Sequence, residues 1–409
     1  MLGLICPGGA GGEGTSDWPQ FRGPHGQGVS EAKDPPVSWD RKKGVDWKVE
    51  VPGAGWSSPV VQDGRIVLTT GVEKRGKMTL GVMQYDAATG KKLWHRELFT
   101  PTEEETAAMH AKNSLASSTP VIRDGIVYAH FAHMGTAALR LEDGEVVWKH
   151  QERYPPVHGT GSSPALAGDL LVFNADAKED PAVVALAART GKPVWRTPRE
   201  VEVKRTFSFS TPLVIDHGGR TLILSQGSGM IGAYAPADGK LVWRVRYGEG
   251  YSVVPRPLFV DGMIYACTGF GLPHLLAIKP DGARGDVTDS HVVWKVKRNV
   301  PKTPSVVAGH GLIYMVDDTG RVTGLDAMTG QVRWTEKLAG NFSASPVLAG
   351  HTLYACSEDG VCFVLKVSAD GGKILEEIDM GDRIFASPAV LDGTVIIRSE
   401  GHLWRISGK

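Results

Sequence analysis

The chain has 409 residues and balanced charge, 45 Lys and Arg against 45 Asp and Glu, with no dense basic block; nucleic acid and anionic membrane surfaces are therefore not the expected partners. Its 51 glycines and 25 prolines, beside 42% apolar residues, fit many short strands joined by turns rather than a helical protein. No run is long and apolar enough for a transmembrane helix, and four cysteines without a CxxC spacing exclude a small disulfide scaffold.

The opening stretch, MLGLICPGGAGGEGTS, has a short apolar patch but no basic leader; it reads as a clipped export signal or as a flexible tail. Residues 17–44 mix turn and extended character around Trp18, Phe21 and Trp39, and are expected to pack across a flat face or the outer wall of the folded domain. Residues 1–44 thus form a tail and packing segment, and residues 45–409 one repeat domain. Val45–Val51 resembles a strand, yet no partner strands precede it.

From Ser57 the phrase SSPVVQDG recurs in drifting spellings, with marker prolines at Pro59, Pro120, Pro164, Pro212, Pro257, Pro304, Pro346 and Pro388. Their steps of 42 to 61 residues fall around the period of propeller blades. Each unit parses into four short strands, in the first unit Pro59–Gln62, Arg65–Thr70, Gly81–Tyr85 and Lys92–Glu97, joined by DG-type and D-x-x-T-G-type turns. Trp94, Trp148, Trp195, Trp243 and Trp334 follow such turns, and Trp294 follows a longer insertion, PDGARGDVTDSHVVW. Together with Trp47 these rings are expected to fill the widening wedge between neighbouring sheets, each burial worth about 3 kcal/mol. The seventh unit breaks the rule with GGKILEEI around Leu375. The last unit supplies only three strands, ending in HLWRIS, and Val45–Val51 is the missing fourth. The expectation is an all-β chain: one eight-bladed β-propeller of four-stranded antiparallel blades, closed by its N-terminal strand.

The pairing of SPVL-x-G with LDAMTGQVRW, clearest in Ser345–Cys356 and Leu325–Trp334, resembles the quinoprotein-type repeat named after pyrroloquinoline quinone (PQQ). The leader DWPQFRGPHGQGVS is similar to the opening of a group of PQQ-like propellers of planctomycete-type bacteria, which are usually exported. The resemblance implies an exported protein, periplasmic or otherwise associated with the cell envelope. It does not choose a function, because such repeats occur in dehydrogenases and in non-catalytic outer-membrane assembly scaffolds. The dehydrogenases hold PQQ over a tryptophan floor, beside calcium and a catalytic Asp, often under a disulfide of adjacent cysteines. This chain has no adjacent cysteines, and no segment carries those roles over position by position. The preferred reading is a non-catalytic binding or scaffold protein whose partner is a protein or a small anionic ligand, with no cofactor. The alternative is a quinone-dependent dehydrogenase, or another enzyme holding a small anion in its channel, with PQQ and calcium.

In a propeller, the residues entering each innermost strand reach one channel mouth. Here they are Lys112, Asn113, His158, Arg205, Arg256, Lys302, Asn341 and Arg383, five of them basic and none acidic. Converging, they suit a carboxylate, sulfate or phosphate; alternatively they point sideways or pair with neighbouring acids. The first unit inserts residues 99–117, with a helical turn expected over Glu103–Met109 and Thr102 near its start; it covers the mouth, presents a partner surface or is decorative. Asn174, Asp176, Glu179 and Asp180 offer oxygen ligands suited to calcium, or are solvated turn residues. His110 and His158 stand near the predicted mouth, but no HExxH, G-x-S-x-G, P-loop or dinucleotide fingerprint is present. Cys356 and Cys362 flank the turn SEDGV and either face each other across one hairpin or are separate buried thiols.

Overall fold

Short β-branched runs broken by turn residues cannot bury both faces alone, and the chain resolves this by stacking them radially. The computed structural model describes residues 17–107, 109–154 and 157–408, so residues 1–16 and Cys6 lie outside the described residues. Eight antiparallel sheets follow one another around a ring. Blade 1 consists of Val60–Gln62, Arg65–Lys74, Lys77–Asp86 and Lys92–Phe99, from the channel outward. Blades 2 to 7 repeat that order. Blade 8 takes Ala389–Leu391, Thr394–Arg398 and His402–Ile406, and Val45–Glu50 completes it, with Val49 opposite Leu403. The two ends of the sequence therefore meet in one sheet, as the strand count required. Two short parallel strands add to the plan: Val29–Ser30 beside Leu348–Ala349 in blade 7, and Gly285–Asp286 beside Trp243–Arg244 in blade 4.

The innermost hairpins show why DG recurs. Asp63 and Gly64, Asp124 and Gly125, and Asp261 and Gly262 all have positive φ, between 50° and 75°, which is the two-residue turn that matches strand twist. The outer turn has another task. Asp86 Oδ1 accepts from Thr89 N and Oγ1 at 2.8 and 2.7 Å, fixing a turn that ends at Gly90 with φ +71°. Against Gly90 lies the Trp47 ring, 2.8 Å from where a Cβ would stand, and Trp47 Nε1 donates to Ala87 O at 3.1 Å. The same clasp joins Trp94 to Leu141 O, Trp148 to Ala188 O, Trp195 to Pro236 O, Trp294 to Ala327 O and Trp334 to Ser368 O, each in the next blade. The tryptophan and the turn glycine of one unit thus serve two different interfaces. Trp243 is buried more deeply, at 1% exposure, because the insertion brings Ala283, Val287 and the strand Gly285–Asp286 around it.

One sequence marker is out of register. The inner strand of blade 6 is Val307–Gly309, so Val306, not Pro304, occupies the place of the other prolines. Ser305 N donates to Ser345 Oγ at 2.9 Å, which confirms the two-residue offset. In this blade the hydroxyl before the strand keeps its place while the proline does not.

Residues 17–44 cross one face and close one end of the channel. Inner strands leave one edge unpaired, and this segment bonds to it repeatedly. Trp18 exchanges two 2.8 Å hydrogen bonds with Val61, Pro19 O accepts from Ile122 N, and Gly28 O accepts from Leu348 N. Gln27 Oε1 receives Phe259 N, Ser30 Oγ donates to Val390 O, and Lys33 N donates to Asp392 Oδ1. Trp39 reaches outward to Met380 of blade 7, whose outer strand lacks the tryptophan.

Candidate functional site: the open channel mouth

The opposite end stays open, and a cavity of about 350 Å³ runs from it down to Phe21. Its walls follow from the repeat. Seven blades carry a hydroxyl immediately before the inner strand's lead residue, and these hydroxyls clasp adjoining blades. Ser58 N donates to Thr119 Oγ1, Thr119 N to Ser163 Oγ, and Ser163 N to Thr211 Oγ1, at 2.9 to 3.0 Å. After blade 5 the series resumes through Arg256 N to Ser305, Ser305 N to Ser345, Ser345 N to Ser387, and Ser387 N back to Ser58. Each such bond contributes about 1 kcal/mol. That is the physical content of the recurring Ser/Thr-Pro.

Two residues earlier in each unit, every blade supplies one more lining side chain or backbone position: Trp56, Ser117, Gly161, Phe209, Val254, Thr303, Ser343 and Phe385. Their order around the ring makes a slot. Trp56 and Phe385, from blades 1 and 8, pack at 4.6 Å between centroids, half a turn from Phe209 and Val254 of blades 4 and 5. The small polar members stand between these two apolar walls. Phe207, Tyr251 and Phe270 extend the second wall toward the mouth, with centroids 6.1 and 6.4 Å apart along the series.

The long insertion forms part of the rim. Glu103–Ala107 is helical, with Thr102 Oγ1 accepting from Glu105 N and Glu105 Oε2 accepting from Thr102 N, a reciprocal cap. The chain then brings His110, Lys112 and Asn113 to the cavity. His110 N and Asn113 Nδ2 both donate to His158 O. Burial, and then the neighbouring His110, hold the His158 imidazole below its usual pKa. Among the described residues that line the cavity there is no Asp or Glu. Glu358 stands behind them, accepting from Lys112 Nζ at 2.7 Å and from Ser343 Oγ at 2.6 Å.

The eight residues expected at the mouth separate into groups. Lys112, Asn113 and His158 line the cavity. Arg205, Lys302 and Arg383 form a cationic rim, lying over Tyr251, Phe270 and Phe385 at 4.3, 5.5 and 4.9 Å from the ring centroids. Asn341 is exposed and accepts Glu358 N through its carbonyl, outside the lining. Arg256 is placed differently from the expectation. It occupies the one inner position without a hydroxyl, and its guanidinium turns to the sealed end, donating to Pro212 O and Phe21 O. It is 3% exposed, and burial together with nearby Arg22 pushes its pKa down to about 9.

The aromatic walls are the features of the cavity that the charge pattern did not reveal. An aromatic two residues before the hydroxyl, as in WSSP, FSTP and FASP, is the signal that finds them. The oxygen-rich segment in blade 3 is a structural cluster. Asn174 bonds Ser210 O and Ser225 Oγ, buried Asp176 pairs with Arg199 at 2.6 Å, and Asp180 pairs with Arg196 at 3.0 Å. Glu179 is exposed. Among the described residues no three His, Cys, Asp or Glu side chains gather as a metal-binding group. The residues also do not fit a calcium-assisted quinone: calcium takes six to eight oxygen ligands, usually with carboxylates, and this lining offers hydroxyls and one amide.

Known proteins place this architecture. The methanol dehydrogenase described as europium-containing superposes with a TM-score of 0.69 at 12% identity, covering 95% of this chain and 90% of that one. BamB from Moraxella catarrhalis gives 0.63 at 15% identity, covering 88% and 99%. In sequence, outer membrane protein assembly factor BamB of Yersinia pestis is 23% identical over 338 residues, 78% of this chain and 77% of that protein. Quinoprotein alcohol dehydrogenase PedH of Pseudomonas putida is 30% identical over a shorter stretch, 32% of this chain and 23% of its own length. Residues 29–177 and 179–409 match the family described as outer membrane protein assembly factor BamB, and with nearly every blade inside that match the chain belongs to this family of PQQ-like propellers.

Proposed function

We propose that the chain is a non-catalytic binding propeller of the cell envelope that receives a segment of a protein partner at its open mouth. The occupant is an aromatic side chain flanked by acidic residues. The observation that carries this reading is the slot: apolar walls facing each other across the channel, small polar walls between them, and a rim of Arg205, Lys302 and Arg383 above. A flat ring gains from both walls, and acidic neighbours gain from the rim. A lining without a carboxylate offers little for general acid–base chemistry, and His158 is biased toward its neutral form. The relatives' description as assembly factors for outer membrane proteins supports a protein partner and an envelope location.

The test is titration of fluorescein-labelled short peptides with the folded chain while their anisotropy is followed. Phe or Trp between Asp and Glu residues should bind saturably, more weakly at high salt, and at least tenfold more tightly than the same ring between lysines. Equal binding of both peptides, or binding unchanged in Phe209→Ala, overturns the reading. So does dye reduction with an alcohol after loading with PQQ and calcium, which would favour the dehydrogenase alternative.

A further inference from the structure

Cys356 and Cys362 occupy opposite positions in the central hairpin of blade 7. Ser357 N donates to Val361 O at 2.8 Å, so those two residues form a hydrogen-bonded pair and the cysteines form the next, non-hydrogen-bonded pair. Such pairs hold their Cα atoms about 4.5 Å apart, inside the span a disulfide bridges. The Sγ atoms point toward one another at 2.7 Å, both thiols 2% exposed in the core between blades 7 and 8. Cys267, by contrast, is buried alone in the seam between blades 5 and 6.

We propose that Cys356 and Cys362 are a disulfide-forming site that closes by thiol–disulfide exchange when the chain folds in an oxidising compartment. One cysteine thiolate attacks the disulfide of a small oxidant such as oxidised glutathione, breaking its S–S bond and releasing one glutathione thiolate. The second cysteine thiolate attacks the protein sulfur of that mixed disulfide and releases the other glutathione. The protein loses two electrons and two protons, and one small-molecule disulfide becomes two thiols. Burial raises the Cys362 thiol well above its usual pKa, so exchange in the folded protein is slow and the bond forms while the hairpin is still open.

The closed bond has a local consequence. The five residues between the cysteines include Glu358, which holds Lys112 and Ser343 at the mouth. Bridging the hairpin base fixes Glu358, and through it the insertion that carries Lys112.

The test refolds the full chain in oxidised and reduced glutathione, then counts thiols by alkylation after denaturation. Of the four cysteines, two should become unreactive, the mass should fall by two hydrogens, and a proteolytic peptide should join Cys356 to Cys362. Cys356→Ala should leave all three remaining thiols reactive. The same count on protein isolated folded from an oxidising compartment removes any dependence on refolding or on the variant. Four reactive thiols in both preparations, a stable glutathione adduct at either position, or a bridge to Cys267 overturns the proposal.

Discussion

The two ends of the channel are built from the same eight inner strands and finished in opposite ways. At the sealed end, residues 17–44 bond to exposed strand edges, and Arg22 and Arg256 are buried against backbone carbonyls. At the open end the corresponding job falls to side chains, and aromatic rings meet solvent. The inner strands all run the same way, so one end collects their entries and the other their tight turns, and the N-terminal segment seals the turn end. Stability concentrates at the sealed end, and the proposed recognition falls to the other.

The most damaging change should be Trp18→Ala, which removes a ring 1% exposed under blade 1 and lowers stability by about 3–5 kcal/mol in urea unfolding. A loss below about 1 kcal/mol means the seal is not structural. Acid tests the seam between blades 2 and 3, where His130 packs on Phe173. His130 is fully enclosed, its Nδ1 is 2.8 Å from Thr136 Oγ1, and burial, followed by His133 and His150, lowers its pKa from 6.5 to about 3. The unfolded chain therefore takes up a proton below pH 6.5 that the folded chain refuses until about pH 3. Stability should fall through that window by about 1.4 kcal/mol per pH unit from this group, and His130→Gln should flatten the slope.

Two smaller effects sharpen the contrast. Arg256→Ala leaves Phe21 O without a donor and should cost about 1–3 kcal/mol, whereas Arg256→Ser offers Thr211 N the hydroxyl found in the other blades and should recover about 1 kcal/mol of that loss. Equal stability of the two variants would show that the hydroxyl clasp contributes nothing there. Phe209→Ala should change stability by less than about 1 kcal/mol, since the ring is only half-buried, while weakening the acidic aromatic peptide at least tenfold.

The fold was legible because closure leaves a countable trace: three strands at one end of the repeat, and a lone strand carrying Trp47 before its start. The tryptophans were legible as wedge fillers, though not as donors to the next blade's turn, because the partner carbonyl belongs to a different unit of the alignment. Pro304 misled because proline is easier to see than the hydroxyl of Ser305, which bonds across the seam. Arg256 misled for a related reason: a basic residue beside a predicted mouth says nothing about which end its long side chain follows. The slot went unseen because its walls are assembled from four blades, and no single repeat contains two facing sides.

Blade 8 also sets an order of events. Val49 is made early and its partner Leu403 more than three hundred residues later, so ribosome or translocon delivers seven blades before the eighth has a complete sheet. Until then Val45–Glu50 presents open hydrogen-bonding edges to whatever is nearby, including another nascent copy, and a holdase that shields this early strand would bear directly on yield.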